Sequence, residues 1–515
     1  MNLIHEPWIP VRRKSGAKEI IAPWQVTDMY IEDPIVELAA VRSDFNGALI
    51  QFLIGLLQTT CAPQGNSNWR KWMNTPPSPG ELKAKFEPVA VAFNLDGAGP
   101  RFMQDLTIED EAKKKIAEVE KLLIDAPGGQ TLKQNKDLFI KRDRIRWMCP
   151  TCCAQALLAL QINAPVGGAG HRVGLRGGGP VSTVVLGDNL WQTIWCNVLL
   201  ENEFNDMAAA IKLDSSDKFP WMAKTRTSEK DRITTNQDVH PAQIYWSMPR
   251  RIKLITISKA GRCDLCNYNG VLVKEYYTKP YGIKYDGFIH PLTPTYKNKD
   301  GIILAVRQHE MLGYKHWLGY VQNTDGGSEP ARVINSAFKR QMDDLRIWAF
   351  GYDMDKMKAC CWYEGVMPVA FIEDERKWKT YGAYVTMLIR AADMVSYFLS
   401  YGLGDALNPK NRKSKDYNQK LKENARGRFW QETEAEFYKQ IRDLRQEILE
   451  DRDGLSVRQA WHGYLTRKAQ EIFNDLSQAD MIEMVDAERV SKAWNDLGKN
   501  LYGRKLKIEI LGLPK

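Results

Sequence analysis

Residues 149–180 read CPTCCAQALLALQINAPVGGAGHRVGLRGGGP, and three signals follow one another in them. Cys149 and Cys152 form a Cys-x-x-Cys knuckle. An apolar run from Ala154 to Ile162 has the composition of a buried helix. A loop dense in glycine comes next, with Gly167, Gly168, Gly170, Gly174, Gly177, Gly178 and Gly179, and with His171, Arg172 and Arg176 interleaved. Glycine lets a backbone come close to a ligand and take φ > 0. Arginine beside it offers a planar donor fork suited to phosphate. The stretch therefore predicts a helix that delivers a polyanion-binding loop; a purely structural glycine turn accounts for the same residues. A dinucleotide fingerprint does not, because the spacing from Gly168 is G-x-G-x-x-x-G and a helix, not a strand, precedes it. No P-loop motif occurs in the chain.

The knuckle has a counterpart at Cys263 and Cys266. Two such pairs supply four soft ligands, the set for a tetrahedral structural zinc. The long interval between them predicts a clamp joining distant segments, not an autonomous finger. Cys153 reads as a spare buried thiol, and Cys61, Cys196, Cys360 and Cys361 as core residues. Residues 1–12 lack the apolar core of a secretory signal. The apolar run 47–57 is too short to span a bilayer and contains Gln51. A cytoplasmic protein with reduced thiols is expected, so nine cysteines point to metal or burial.

Around this centre, Trp8, Ile9 and Val11 predict a strand broken by Pro10, and 35–60 reads as helix. A charged amphipathic helix is expected over 109–123. Beyond it, Phe139 and Ile140 stand among Lys136, Lys141, Arg142, Arg144 and Arg146. Such residues suit a surface that wedges into or stacks on nucleic acid, or equally an amphipathic strand. Residues 244–257 read as strand and 271–307 as β-rich, with a hairpin turn at Asn298-Lys299-Asp300-Gly301. From about 376 the texture becomes helical: 378–401, 429–449, 457–476 and 482–501 pattern as four amphipathic helices, which pack naturally as a bundle. The connection 408–428 carries a run of basic residues. The fold class is α+β, with a large mixed α/β domain over 1–375 and a four-helix bundle over 376–515.

The 515 residues are 44% hydrophobic and 26% charged, ordinary for a globular protein, with a net charge of +9 that permits a nucleic-acid partner. Seven histidines are scattered, His309-Glu310 does not continue to H-E-x-x-H, and no G-x-S-x-G elbow is present. A catalytic role is not expected.

Short motifs in fixed order carry a resemblance. They are Asn2-Leu3, Trp8-Ile9-Pro10-Val11, Phe102-Met103-Gln104, the first knuckle, Ala164-Pro165 with the glycine loop, Gly174-Leu175-Arg176-Gly177-Gly178, Pro180-Val181, the second knuckle, His290-Pro291 with Pro294, and Gly351-Tyr352. Through them the whole chain resembles the CasA family, the large subunits of the type I-E CRISPR Cascade surveillance complex. The resemblance implies a non-catalytic subunit that recognises the protospacer-adjacent motif (PAM) in double-stranded DNA from the minor groove. It implies help in opening the duplex for CRISPR RNA, contacts with other Cascade subunits, and recruitment of a helicase-nuclease. The opposing reading is a zinc-dependent nucleic-acid-processing enzyme.

Carried over by position, the motif-reading loop falls on Gly167, Gly168, Ala169 and Gly170, with Ala169 in place of a glycine. The lysine of the groove-reading hairpin falls near Lys279. The duplex wedge falls on Asp355, Lys356 and Met357, where Lys356 replaces the usual amide. The mobile loop falls on Phe139, Ile140 and Lys141. Lys297 and Lys299 lie near the strand path as phosphate contacts, with Arg172 and Arg176 as further candidates.

Overall fold

The computed structural model describes residues 1–514 except 110, 112, 128–143, 169, 208–217, 309–312, 324–326, 343–344, 356–357, 408–414 and 480–486, and the backbone alone at 256–259 and 415–418. The chain forms two compact units. The first comprises Met1–Glu310, Pro330–Arg340 and Arg346–Val366; the second comprises Met311–Glu329, Gln341–Leu345 and Met367–Lys515.

The first unit is built on two helices with almost no polar face. In Ser43–Thr60 nearly every side chain is buried, Gln51 and Gln58 included. Pro150–Asn163 is likewise apolar all round and packs against it. A helix without a polar stripe has to be enclosed. Aromatic rings close the space around the first helix: Trp8 meets Phe52 edge-on at 4.9 Å, and Phe93 and Phe102 meet Trp246 and Trp221 at 5.3 and 5.2 Å. Edge-to-face pairs of this kind add about 0.5–1.5 kcal/mol each beyond their buried area.

Short antiparallel sheets surround this core. Ile9–Arg13 lies between Lys18–Ile21 and Ile35–Leu38. Pro10 does not break the strand: its carbonyl accepts from the Ala39 N–H at 2.8 Å at the end of the ladder with Ile35–Leu38, where only the one return bond is lost. The expected helix over 35–60 is a strand, Ile35–Leu38, followed by the helix from Ser43. The long strands Arg251–Arg262 and Asn269–Lys279 pair antiparallel, and Lys115–Glu118 adds to the second of them. This corrects the helix expected over 109–123, of which 115–118 is strand and 119–122 a single 3-10 turn. Its charged residues are spent sideways, Glu109 on Lys253 and Glu111 on Arg251, not on i,i+4 partners. The strand read over 244–257 begins only at Arg251. Ser182–Leu186, Arg346–Asp355 and Lys358–Pro368 form a third sheet.

The second unit is a bundle of Glu375–Leu407, Lys415–Leu449, Leu455–Ala479 and Ala487–Leu501. Residues 415–428, read as connection, belong to the second helix. The unit also takes in the segment around Tyr314. That ring stacks on Phe437 at 4.2 Å, and its hydroxyl bonds Thr433 at 2.7 Å in the bundle core. No described helix is long and apolar enough to cross a membrane.

Candidate functional site

The glycine loop is placed from its N-terminal side by the helix Pro150–Asn163. Pro150 occupies the first helical position, where a missing N–H costs nothing. The sulfur of Cys149 caps the helix by accepting from the Cys152 N–H at 3.4 Å. At the far end, Pro165 forces Ala164 out of the helical region, to φ −48 and ψ 119, and the helix stops. Gln161 fixes the helix across the sheet. Its amide donates to the Met103 and Arg250 carbonyls, and its oxygen accepts from the Arg250 N–H at 3.0 Å.

Within the loop the glycines differ in what requires them. A Cβ at Gly167 would overlap His171. Gly170 has φ +80, and a Cβ there would lie 2.7 Å from Pro280; its carbonyl accepts from the Tyr281 N–H at 2.7 Å. These two are demanded by the fold. Gly168 is exposed, and a Cβ there would meet nothing within 4 Å. The loop is thus a structural turn at Gly167 and Gly170, with an open backbone position at Gly168 between them.

The bond from Tyr281 ties the loop to the end of the strand Asn269–Lys279, so Gly170 and Lys279 belong to one local surface. Lys279 is not a free cation. It is ion-paired with Glu111, which also accepts from Arg251, and Arg251 in turn bonds Asp105 at 2.5 Å. Lys253 pairs with Glu109 at 3.2 Å beside them. Burial alone would raise the Glu111 carboxyl, but the bonds from Arg251 and Lys279 outweigh it and hold the group at about 2. Its contribution to stability is therefore complete above the ordinary carboxylate value and is lost as pH falls from about 4.5 towards 2. Acid denaturation followed by tryptophan fluorescence should show that loss in the parent protein, and Glu111→Gln should flatten the curve over the same window. An unchanged acid limb in the variant would contradict the network's role.

The arginines part company. Arg172 lies at the surface side: its Nε donates to Ser228 Oγ at 2.7 Å and its guanidinium sits over the Tyr281 ring. Arg176 is buried and spends its donors on Ser182, Thr293 and Gln51, at 2.8, 2.8 and 2.7 Å. It is unavailable to a phosphate, and that expectation is withdrawn. Burial pushes its guanidinium down to about 9.

Beyond Arg176 the chain runs between two other predicted elements. Gly179 accepts from the Gln308 N–H at 2.7 Å, and Pro180 bridges to Arg307, just past the hairpin strands Thr295–Lys297 and Ile303–Ala305. The hairpin turn falls where the sequence placed it. Asn298 Oδ1 accepts from the Asp300 and Ile302 N–H groups, and Gly301 takes φ +77. Lys297 and Lys299 are exposed on it. On the other side, Gly179 packs against the strand Arg346–Asp355, which ends at the predicted wedge. Asp355 is exposed. Phe139, Ile140, Lys141, Ala169, Lys356 and Met357 lie outside the described residues.

The two knuckles meet. The sulfurs of Cys149, Cys152, Cys263 and Cys266 lie within 4.8 Å of one another, with Cys149 and Cys266 at 3.6 Å. Zinc–sulfur bonds of about 2.3 Å in a tetrahedron put sulfurs about 3.8 Å apart, so the cluster has the dimensions for one such ion. One side chain and a backbone bridge hold the halves together. Asp264 Oδ2 accepts from the Arg146 and Trp147 N–H groups at 2.7 and 2.8 Å, and Met148 bridges Val273. Cys153 and Cys196 are buried as expected, whereas Cys360 and Cys361 are exposed on an outer strand and are not core residues.

Sequence reading missed Asp105, Glu111 and Arg251, because ion pairs across strands leave no spacing in one segment. It also missed Arg250, which donates to the Pro165 carbonyl and holds the start of the loop.

A family model described as CRISPR-associated protein Cse1 matches residues 2–472. Among solved structures, Thermobifida fusca Cse1 is similar over 98% of this chain and 98% of its own, at 14% identity and a TM-score of 0.70. Thermus thermophilus CasA (Cse1) matches over 97% of this chain and 99% of its own, at 15% identity and a TM-score of 0.67. A chain of a CRISPR RNA-guided surveillance complex matches over 98% and 99%, at 15% identity and a TM-score of 0.68. At these identities the likeness is one of fold.

Proposed function

The chain belongs to the CRISPR-associated Cse1 family, and from that premise we propose that it is the non-catalytic large subunit of a type I-E Cascade surveillance complex. In this reading it recognises the PAM in double-stranded DNA and starts R-loop formation. Its partners are CRISPR RNA, the other Cascade subunits and a helicase-nuclease recruited once the R-loop forms. Guide pairing reads most of the target, and the protein reads a short motif and duplex shape.

The observation that carries the reading is Gly168. Gly167 and Gly170 need to be glycine for the fold; Gly168 does not, since the space beside it is open. A bare backbone at that point leaves room for a groove wall. Lys279 beside the loop supplies the cation, exchanging its partner Glu111 for the nucleic acid. Minor-groove donor and acceptor patterns are degenerate, so a loop reading from that side tolerates several motifs. The test is binding of the assembled guide complex to duplexes carrying a randomised motif. A restricted, reproducible set of preferred motifs is expected, and uniform binding across the library would reject the reading.

Four cysteines complete a tetrahedral set and leave no position for substrate or water. Zinc held there ties the two strands to the helix that carries the loop and performs no chemistry, which separates this reading from that of a zinc-dependent enzyme.

Lys297 and Lys299 take phosphate in this scheme, as turn-borne ammonium groups that carry no base information. Replacing both with alanine should weaken binding equally for all motifs and lower the salt slope by about one per lost contact. Altered motif preference with an unchanged slope would count against it.

A further inference from the structure

Arg176 has an unusual surrounding for a buried cation. It is 7% exposed, and its three hydrogen-bonded acceptors are the neutral oxygens of Ser182, Thr293 and Gln51. Among the described residues no carboxylate lies within ion-pair distance of it. A guanidinium has five N–H donors, so some remain. Arg176 also lines a small polar cavity of about 10 Å³ together with Gln51, Tyr245, Ser247 and His290, and aliphatic side chains close the rest.

Several of the polar side chains that line this space have a proton to donate. Tyr245 is 4% exposed, and its hydroxyl has no hydrogen-bond partner in the protein. Burial raises it further above its ordinary value, so it keeps its proton. His290 is 4% exposed and accepts the Leu292 N–H on Nδ1 at 3.1 Å. Burial and then Arg176 hold the ring neutral, which puts its one proton on Nε2. Gln51 is already used on both sides, its amide on the Gly47 carbonyl and its oxygen on Arg176. Ser247 brings a rotatable hydroxyl.

We propose that this cavity is a binding site for one monatomic anion, chloride in the cell, that serves as the counter-ion of Arg176. A buried charge is costly unless it is paired. A water has two lone pairs for the donors converging here and brings no charge; a halide accepts from all of them and neutralises the guanidinium. A space of this size is at the floor for one water-sized guest, so phosphate, sulfate and carboxylates are excluded and a halide enters only as the lining hydroxyls turn outward. The hydroxyls of Tyr245 and Ser247 turn to set the final radius. The site joins the helix Ser43–Thr60 to the C-terminal part of the glycine stretch and to the 290–293 turn, so the bound ion would brace the stretch from inside. The proposal stands whether or not the loop reads DNA.

The full chain, purified and crystallised with bromide replacing chloride throughout, should give one anomalous peak between Arg176, Tyr245 and His290. In solution, exchanging glutamate anion for chloride at constant ionic strength should raise the melting temperature by about 2 °C for each tenfold in chloride above its dissociation constant. Tyr245→Phe, which keeps the ring and removes one donor, should reduce that chloride dependence while leaving the circular dichroism unchanged. Arg176→Met should abolish it if the variant folds; Tyr245→Phe decides the matter if it does not. Water density without bromide in the cavity, or a melting temperature indifferent to chloride in the parent protein, would overturn the proposal.

Discussion

Cys263→Ser should cost the protein the zinc proposed for the four-sulfur cluster and the rigidity of the region that carries the glycine loop. Three thiolates and a hydroxyl hold the ion far less well than four thiolates, because the sulfur ligands are the soft ones it selects. The consequence reaches beyond the site. Cys149 and Cys152 begin the helix that ends at the loop, and Cys263 and Cys266 lie in the turn between the two long strands that end near Lys279. Metal affinity in such a site is folding free energy. A loss of at least about 3 kcal/mol is expected, in line with the large effects seen when a structural metal is removed. Elemental analysis of the parent should find about one zinc per chain, on the stoichiometry of one ion per four thiolates. Calorimetry should show the variant's main transition at a clearly lower temperature, and a chelator should reproduce the shift in the parent. A zinc-free parent with the same transition would remove the clamp.

The second large effect separates reading the motif from opening the duplex. Gly168 has space around it, so Gly168→Gln should fold normally; its side chain would project into the room a groove wall needs. Motif-dependent encounter should fall by at least about tenfold, the effect of roughly 1.4 kcal/mol, which a single displaced groove contact supplies. Lys356 has the opposite task in this scheme. Starting an R-loop requires unstacking that costs a few kcal/mol per step, and a long charged side chain beside the motif offsets part of it. Lys356→Ala should therefore retain most of the initial duplex affinity and slow strand opening by about 10- to 100-fold. Targets already mismatched beside the motif should rescue Lys356→Ala and do much less for Gly168→Gln. R-loop formation rates on paired and pre-opened targets measure this directly. Equal rescue of both variants would mean that loop and wedge share one task.

The elements that follow from local rules were legible in the chain. Pro150 and Pro165 bracket a helix, because one imino acid suits a helix start and the other forbids its continuation. Asn298 to Gly301 make a turn by the hydrogen bonds of one side chain and the positive φ of one glycine. Two Cys-x-x-Cys pairs announced a four-sulfur cluster, since few other uses of cysteine need that spacing. Apolar periodicity marked the helices of the bundle. Each of these depends on residues within a few positions of one another, or on a chemical type too specific to have many roles.

Other features were settled only by packing over long distances in sequence. Glu109 and Glu111 sit in a charge pattern that suits a helix, yet the segment beyond them is a strand edge, because Arg251, Lys253 and Lys279 arrive from the neighbouring strands and take the carboxylates. Arg176 stands among glycines like a phosphate ligand but points inward, because Gln51, Ser182 and Thr293 offer it three oxygens there. Cys360 and Cys361 look like core residues and lie exposed on an outer strand. Which glycines of the loop serve the fold and which leaves a surface bare depends on whether His171, Pro280 or empty space lies opposite each α-carbon. Side-chain type and spacing limit what a residue is able to do; the partner that arrives from elsewhere in the chain selects which of those things it does.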